Sequence, residues 1–218
     1  MERQLIQTAD GSHSFEINAG AETYHSRHGA VQESTHVFIA SGLRAIESKQ
    51  RIRVFEVGFG TGLNALLSWR EATASQRIIE YTALEPFPLT TEEARLLNYA
   101  NADEHDGFIR MHGEANGTID VSTYFTLIRL AATYPAHPSE KEHYDIIYYD
   151  AFGPNTQPML WTLECFEKAF DLLVGGGMLV TYCAKGQVRR DLQTAGFEVE
   201  RLAGPPGKRE MLRARKPL

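Results

Sequence analysis

Apolar and polar positions follow two different periods along this chain, and the switches between them mark out its elements. From about residue 52 onward, strand-like apolar runs alternate with helical i, i+3, i+4 spacings, the pattern of a mostly parallel sheet covered by helices. I-R-V-F-E-V (52–57) predicts a first strand, and Leu63, Leu66 and Leu67 recur at helical spacing just after it. I-I-E-Y-T-A-L (78–84) predicts a second strand ending at Glu85, and T-T-E-E (90–93) resembles a capping box opening a helix through about residue 100. Residues 101 to 123 show no clear period and read as a loop or small hairpin. Y-F-T-L-I-R-L (124–130) and Y-D-I-I-Y-Y-D (144–150) predict strands three and four, the latter with a centre apolar on both faces as a buried parallel strand requires.

Leu163, Phe166, Phe170 and Leu173 then trace a helix that G-G-G (175–177) should stop. M-L-V-T-Y-C-A (178–184) gives a fifth strand, Val188, Leu192 and Ala195 a further helix, and Phe197–Leu202 and Glu210–Ala214 two last strands. The G-P-P-G turn (204–207) between those two is too short for a crossover helix, so they should pair antiparallel. The expected architecture is α/β, a seven-stranded sheet with only its last strand reversed. Ahead of it, Ile39, Leu43 and Ile46 mark a helix beginning near Glu33 or Ser34, and residues 1–30 read as a flap or small hairpin.

Length and composition change this picture little. A chain of 218 residues is enough for one domain with a substantial core, here a flap and helix over 1–50 and a sheet core over 51–218. The first residues lack the apolar stretch of a signal peptide, and no run approaches the roughly 18 apolar residues of a membrane span, so a cytoplasmic location is expected. Cys165 and Cys183 are isolated, without a C-x-x-C pair or His-rich spacing, which predicts two reduced buried thiols and no metal site. A net charge of −6 argues mildly against a nucleic-acid partner, yet residues 185–218 hold nine Lys/Arg against four acids. That distribution fits a basic face on an acidic body as well as it fits a solvated helix face and a basic tail.

The chemistry concentrates in V-F-E-V-G-F-G-T-G-L-N (54–64), where Gly58, Gly60 and Gly62 alternate directly after a strand. A dinucleotide fingerprint would place its third glycine one position later, where Leu63 stands. In an open α/β sheet the ligand lies beyond the carboxyl ends of the central strands, which collects Gly58–Gly62, Glu85 and Asp150 around one crevice. Glu85 can accept both ribose hydroxyls of a nucleoside, while glycines let the loop approach its tail. No phosphate-binding helix end is needed if the ligand has no phosphate. S-adenosylmethionine has none, and E-x-G-x-G-x-G from Glu56 is the spacing typical of its methyltransferases. Pro86 and Phe87 follow Glu85 as a wall for the adenine or as core packing. In D-A-F-G-P (150–154), Asp150 is placed to orient an attacking amine and take up the charge it develops. Phe152 is placed to stack on a planar substrate or shield the methyl from water. The structural alternatives are a plain strand-to-helix turn at the glycines and a helix cap at Asp150.

These segments, with L-E-P-F-P-L-T (84–90), Y-Y-D-A-F-G-P…P-M-L-W-T (148–162), T-Y-C-A-K-G-Q-V-R-R-D-L-Q-T-A-G-F (181–197), G-K-R-E-M-L (207–212) and G-A-V-Q-E-S-T-H-V-F (29–38), resemble the methyltransferase domain of the MnmC family, the tRNA 5-methylaminomethyl-2-thiouridine biosynthesis enzymes. The resemblance runs in order over most of residues 24 to 214. It implies a Rossmann-like class I fold and transfer of a methyl from S-adenosylmethionine to the aminomethyl nitrogen of a modified wobble uridine in tRNA. Motif by motif, Glu56, Gly58, Gly60 and Glu85 fall on the cofactor site, Asp150 and Phe152 on the catalytic loop, and Glu33 on the family's entry-helix glutamate near the cofactor. Gly62, Pro86, Thr133 and Asp150 are expected among the cofactor contacts as well.

Two positions depart from the family. After the third strand the family shows Gly-Asp, the acid expected to hold the adenine amino group, where this chain reads L-A-A-T (130–133). Thr133 or Glu114 is the replacement to test. The lysine expected within N-T-Q-P (155–158) is missing. MnmC proteins often carry a flavin-dependent oxidase domain after this one, and the sequence stops before it, so only methylation is implied. Lys185, Arg189, Arg190, Lys208 and Arg209 are expected to face the anticodon arm. The competing expectations are a small-amine transferase of the spermidine synthase kind and a non-catalytic RNA-binding protein with the same fold.

Overall fold

The protein is described by a computed structural model covering residues 2–17, 20, 22–47, 49–113, 115–138 and 140–218. The chain opens with β1 (Arg3–Gln7), β2 (His13–Ile17) and β3 (Glu22–Thr23), an antiparallel sheet of their own. Helix α1 (Ala30–Ser34) follows and runs on as a wider π-helical turn over Thr35–Ala40. The core then comprises β4 (Arg51–Val57), α2 (Leu63–Ser75), β5 (Ile78–Leu84), α3 (Thr91–Arg95), α4 (His105–Gly113), β6 (Gly117–Ser122), β7 (Phe125–Leu130) and β8 (Tyr144–Tyr149). It closes with α5 (Leu163–Leu172), β9 (Leu173–Thr181), α6 (Gly186–Thr194), β10 (Glu198–Ala203) and β11 (Glu210–Arg215).

Eight strands form the main sheet, in the order β10-β11-β9-β8-β4-β5-β7-β6. Strand β4 is central and pairs in parallel with β5 and β8, Val54 lying level with Tyr81 and Ile146. Successive residues of these strands face opposite sides, as a period of two demands. Val54, Tyr81, Ile146 and Tyr148 pack under α2, whereas Phe55, Leu84, Ile147 and Tyr149 pack under α5. Both faces are thus apolar, and β8 is buried along its whole length.

The sheet departs from the expected seven strands with one reversed. The eighth is β6, which forms a hairpin with β7 on the sheet edge, so β6 and β11 both run against their neighbours. An edge strand with a single buried residue carries almost no apolar period, which hid it in the sequence. Helix α4 was equally hidden, because Gly107 interrupts it where a Cβ would lie 2.7 Å from the Trp69 ring. The capping box is formed, Thr90 Oγ1 accepting from Glu93 N and Glu93 Oε2 from Thr90 N, but α3 ends at Arg95 rather than near residue 100. Leu97 and Tyr99 turn inward to the core instead.

Helix α5 stops at Leu172, when Leu173 adopts extended angles; Gly175–Gly177 lie inside β9, where its register against β8 shifts. Helix α1 begins at Ala30, ahead of Glu33, because its cap is remote: Asp10 Oδ2 accepts from Gln32 N at 3.0 Å.

Candidate active site

A cavity of about 700 Å³ opens beyond the carboxyl ends of β4, β5 and β8, where the strand order reverses on either side of β4. Its floor is the loop after β4. Gly58 N and Phe59 N both donate to Leu84 O at 3.1 Å, which folds the loop toward β5. Gly58 adopts φ +94°, and a Cβ there would sit 2.8 Å from the backbone oxygen of Asp150. A side chain at this position would therefore collide with the element that carries the acid.

Glu85, at the end of β5, is held from both sides. Its Oε2 accepts from Gly60 N at 2.9 Å and its Oε1 from Phe87 N at 2.8 Å. Each oxygen keeps a lone pair for a further donor from the cavity. Pro86 and Thr133 line the same side, while Glu114 lies outside the described residues.

Asp150 lines the opposite wall directly after β8, and its Oδ2 accepts from Asn64 Nδ2 at 2.8 Å. Burial pushes its carboxyl well above the usual range, the nearby Glu56 and Glu33 push the same way, and the Asn64 hydrogen bond opposes them. Phe152 lines the cavity too, edge-on to Tyr24 with ring centres 5.1 Å apart. The loop carrying it is braced by Trp161 Nε1, which donates to Phe152 O at 2.8 Å, and by Tyr182 hydroxyl, which donates to Ala151 O at 2.8 Å.

Glu33 lines the cavity from α1. It accepts from Ser26 N at 2.9 Å and is ion-paired with Lys208 from the turn between β10 and β11. The Lys208 ammonium also sits 3.9 Å above the Tyr182 ring, a cation–π contact. His25, between Tyr24 and Ser26 in the flap, is held down to about 4 by burial, and its Nε2 shares a hydrogen bond with Thr61 Oγ1 at 2.7 Å.

The expected site residues are only partly brought together. Glu33, Gly58, Gly60, Glu85, Pro86, Thr133, Asp150, Phe152, Lys185 and Lys208 line one cavity. Glu56 does not reach its surface and is fully buried behind the loop. Gly62 caps α2 at φ +73°, and its missing Cβ makes room for His112 and Phe59 rather than for a ligand. Of the basic residues, Lys185 donates to Asn155 Oδ1 at 2.7 Å near the mouth, whereas Arg189, Arg190 and Arg209 lie away from the cavity wall. Arg213 and Arg215 share Glu200, which offsets one of their two charges.

Three contributors escaped the sequence. Tyr24 and Tyr182 carried no signal apart from their neighbours. Asn64 did carry one, a polar residue inside the apolar first turn of α2, and it is 3% exposed.

Comparison with known proteins adds three findings. The family model for S-adenosyl-L-methionine-dependent methyltransferases matches residues 114–217. Curated relatives include the tRNA 5-methylaminomethyl-2-thiouridine biosynthesis bifunctional proteins MnmC of Ectopseudomonas mendocina (strain ymp), 30% identical over 88% of this chain, and Azoarcus sp. (strain BH72), 31% identical over 90%. The chain spans about a third of their length, 32% and 33%. Among solved structures, MNMC2 from Aquifex aeolicus superposes with a TM-score of 0.82 at 25% identity, covering 100% of this chain and 72% of that one.

Proposed function

This chain resembles the methyltransferase domain of MnmC along nearly all of its length and has the fold of an S-adenosyl-L-methionine-dependent methyltransferase; from that premise we propose that it methylates the exocyclic aminomethyl nitrogen of a modified wobble uridine in tRNA. The observation that carries the reading is Asp150. It presents a carboxyl of raised basicity to a 700 Å³ cavity, opposite a glycine loop and a strand-end glutamate.

The residues fit the cofactor. A cradle at Gly58 and Gly60 that side chains would fill, and Glu85 with lone pairs to spare, suit a nucleoside whose chain carries no phosphate. Glu85 would hold the ribose, Pro86 and Thr133 the adenine side. Bound there, the cofactor supplies a methyl carbon made electrophilic by its sulfonium.

An aminomethyl group is cationic at neutral pH and attacks only after losing a proton. Asp150 accepts that proton, or the hydrogen bond of the nitrogen that carries it, and so directs the lone pair into the cavity. Methyl transfer to that nitrogen would form the N–C bond as the cofactor's S–C bond breaks, leaving a neutral thioether. Phe152 and Tyr24 keep water from the reacting atoms. Glu33 is already neutralised by Lys208, which leaves Asp150 as the acid available to the substrate. Residues 1–218 would act as one methyltransferase unit, with 1–50 closing over 51–218. Lys185 at the mouth, and Arg189, Arg190 and Arg209 beyond it, would contact phosphates of the anticodon arm, whereas Lys208, expected among them, is engaged by Glu33.

The test is incubation of labelled S-adenosylmethionine with bulk tRNA from cells lacking this methylation, followed by nucleoside mapping. Label in the 5-methylaminomethyl nucleoside is the expected result. In Asp150→Ala the label should vanish while S-adenosylhomocysteine still binds; loss of both would remove Asp150 from the substrate side. Labelling of a small amine but of no tRNA would favour the polyamine-type reaction.

A further inference from the structure

Behind the cavity wall, one amide joins two acids. Asn64 Nδ2 donates to Glu56 Oε1 at 2.9 Å and to Asp150 Oδ2 at 2.8 Å, which uses both of its hydrogens. Glu56 is 0% exposed, and its other oxygen, Oε2, has no hydrogen-bond partner among the described residues. The Tyr81 hydroxyl beside it is buried and unpartnered as well. The remaining groups that face Asp150 are Glu33, Lys208 and Tyr182. Lys208 is held by Glu33, and the Tyr182 hydroxyl donates to a backbone carbonyl.

Two full negative charges on opposite sides of one neutral amide, one of them sealed from water, would lack compensation. A proton retained on the sealed member removes the conflict, since a neutral carboxylic acid is the form that a dry site favours. Buried acceptors without a partner among the described residues lie beside it to receive the hydroxyl of that acid, the Tyr81 oxygen and Asn64 Oδ1.

We infer that Glu56 is a buried, protonated carboxylic acid and a positioning residue: with Asn64 it holds Asp150 as the single anion of the pair, its Oδ1 left facing the cavity. Burial drives the Glu56 carboxyl up to about 8 and raises Asp150 well above the usual carboxylate range too, and of the two it is Glu56 that is sealed from the cavity, which places the proton there. Asn64 fixes one oxygen of Asp150 and thereby aims the other. The inference rests on the methyl-transfer reading for what Asp150 does, but not for where the proton resides. It moves Glu56 from a cofactor ligand to a support behind the catalytic acid.

The experiment is infrared spectroscopy of the full chain at pH 7, which reads the C=O stretch of a protonated carboxyl directly. That band should be present in the wild type, absent in Glu56→Gln and retained in Asp150→Asn. A wild type without it, or a band lost only in Asp150→Asn, overturns the assignment. Glu56→Gln should also bind S-adenosylhomocysteine within about threefold of wild type; a larger loss would return Glu56 to the cofactor. In Asn64→Leu, kcat on tRNA should fall about 10–100-fold, the effect of losing a hydrogen bond to a charged group, with S-adenosylhomocysteine affinity within about threefold. An unchanged kcat, or an equal fall in affinity, refutes the positioning role. If the wild type methylates no tRNA, the methyl-transfer reading fails by itself, and the infrared band still decides the proton.

Discussion

Gly58→Ala offers a stability test that is independent of any substrate. The native residue is at φ +94°, and the added Cβ would lie 2.8 Å from the Asp150 carbonyl oxygen and 3.3 Å from its carbon. The obstacle is backbone, so no rotamer relieves it. Holding an L-residue in that conformation costs about 1–3 kcal/mol. Overpacking against a fixed neighbour adds about 1–3 kcal/mol. A net loss of about 3 kcal/mol, at about 2–4 °C per kcal/mol for a domain of this size, lowers Tm by roughly 6–12 °C. Scanning calorimetry reads this directly. Gly113→Ala is the control, since no described atom lies within 4 Å of a Cβ there, and its change should stay within about 1 kcal/mol. A drop of less than about 2 °C for Gly58→Ala, or an equal drop in the control, would show that the loop yields and that the contact does not define it.

Glu85→Gln places an NH₂ against one of two backbone N–H donors and removes the charge, so S-adenosylhomocysteine should bind about 10–100-fold more weakly by calorimetry; unchanged affinity would end the ribose assignment. Reversing charge in Arg189→Glu/Arg190→Glu should raise KM for tRNA and flatten its salt dependence by about 0.7–0.9 per lost phosphate contact, without altering cofactor affinity. Unaltered tRNA kinetics would take this helix face out of the RNA site. Burial holds His112 down to about 3, so between about 6.5 and 3 the unfolded chain binds a proton that the folded chain refuses, and stability is lost as pH falls through that window. His112→Gln removes this term while the acids titrate alike in both proteins. The Tm difference should therefore shift in favour of the variant as pH drops from 7 to 5, and a constant difference would contradict the buried neutral state.

The central strands and the cofactor loop were legible in sequence because both leave local signatures. Strands β4, β5 and β8 are long apolar runs, and glycines at alternate positions after a strand mark a backbone that must approach something closely. What was not legible depends on distant partners. Helix α1 starts where Asp10 caps it, twenty-two residues upstream of the amide it accepts from, and α4 carries Gly107 where the Trp69 ring occupies the space a Cβ would need. Spacing also placed Glu56 and Gly62 with the ligand, since a motif gives the order of residues but not the direction each one faces. The fold turns both away from the cavity, and turns Tyr24 from the flap toward it.

The grip of Arg3 has a consequence for how long a ligand stays. Its guanidinium donates to the Phe87 carbonyl and to Glu93, and its Nε to the Tyr24 hydroxyl at 2.9 Å, while Phe87 N donates to Glu85. The short turn from Glu85 to Phe87 is therefore clamped between the β1–β3 sheet and the carboxylate proposed for the ribose. Opening of the first strands would free that wall, so the dwell time of a bound molecule should depend on this equilibrium as well as on its own contacts. Loosening Arg3 should shorten dwell time without touching any group that meets the ligand. Arg3, outside the cavity lining, thereby ties the first strands to the wall of a site whose lining runs from residue 22 to residue 208.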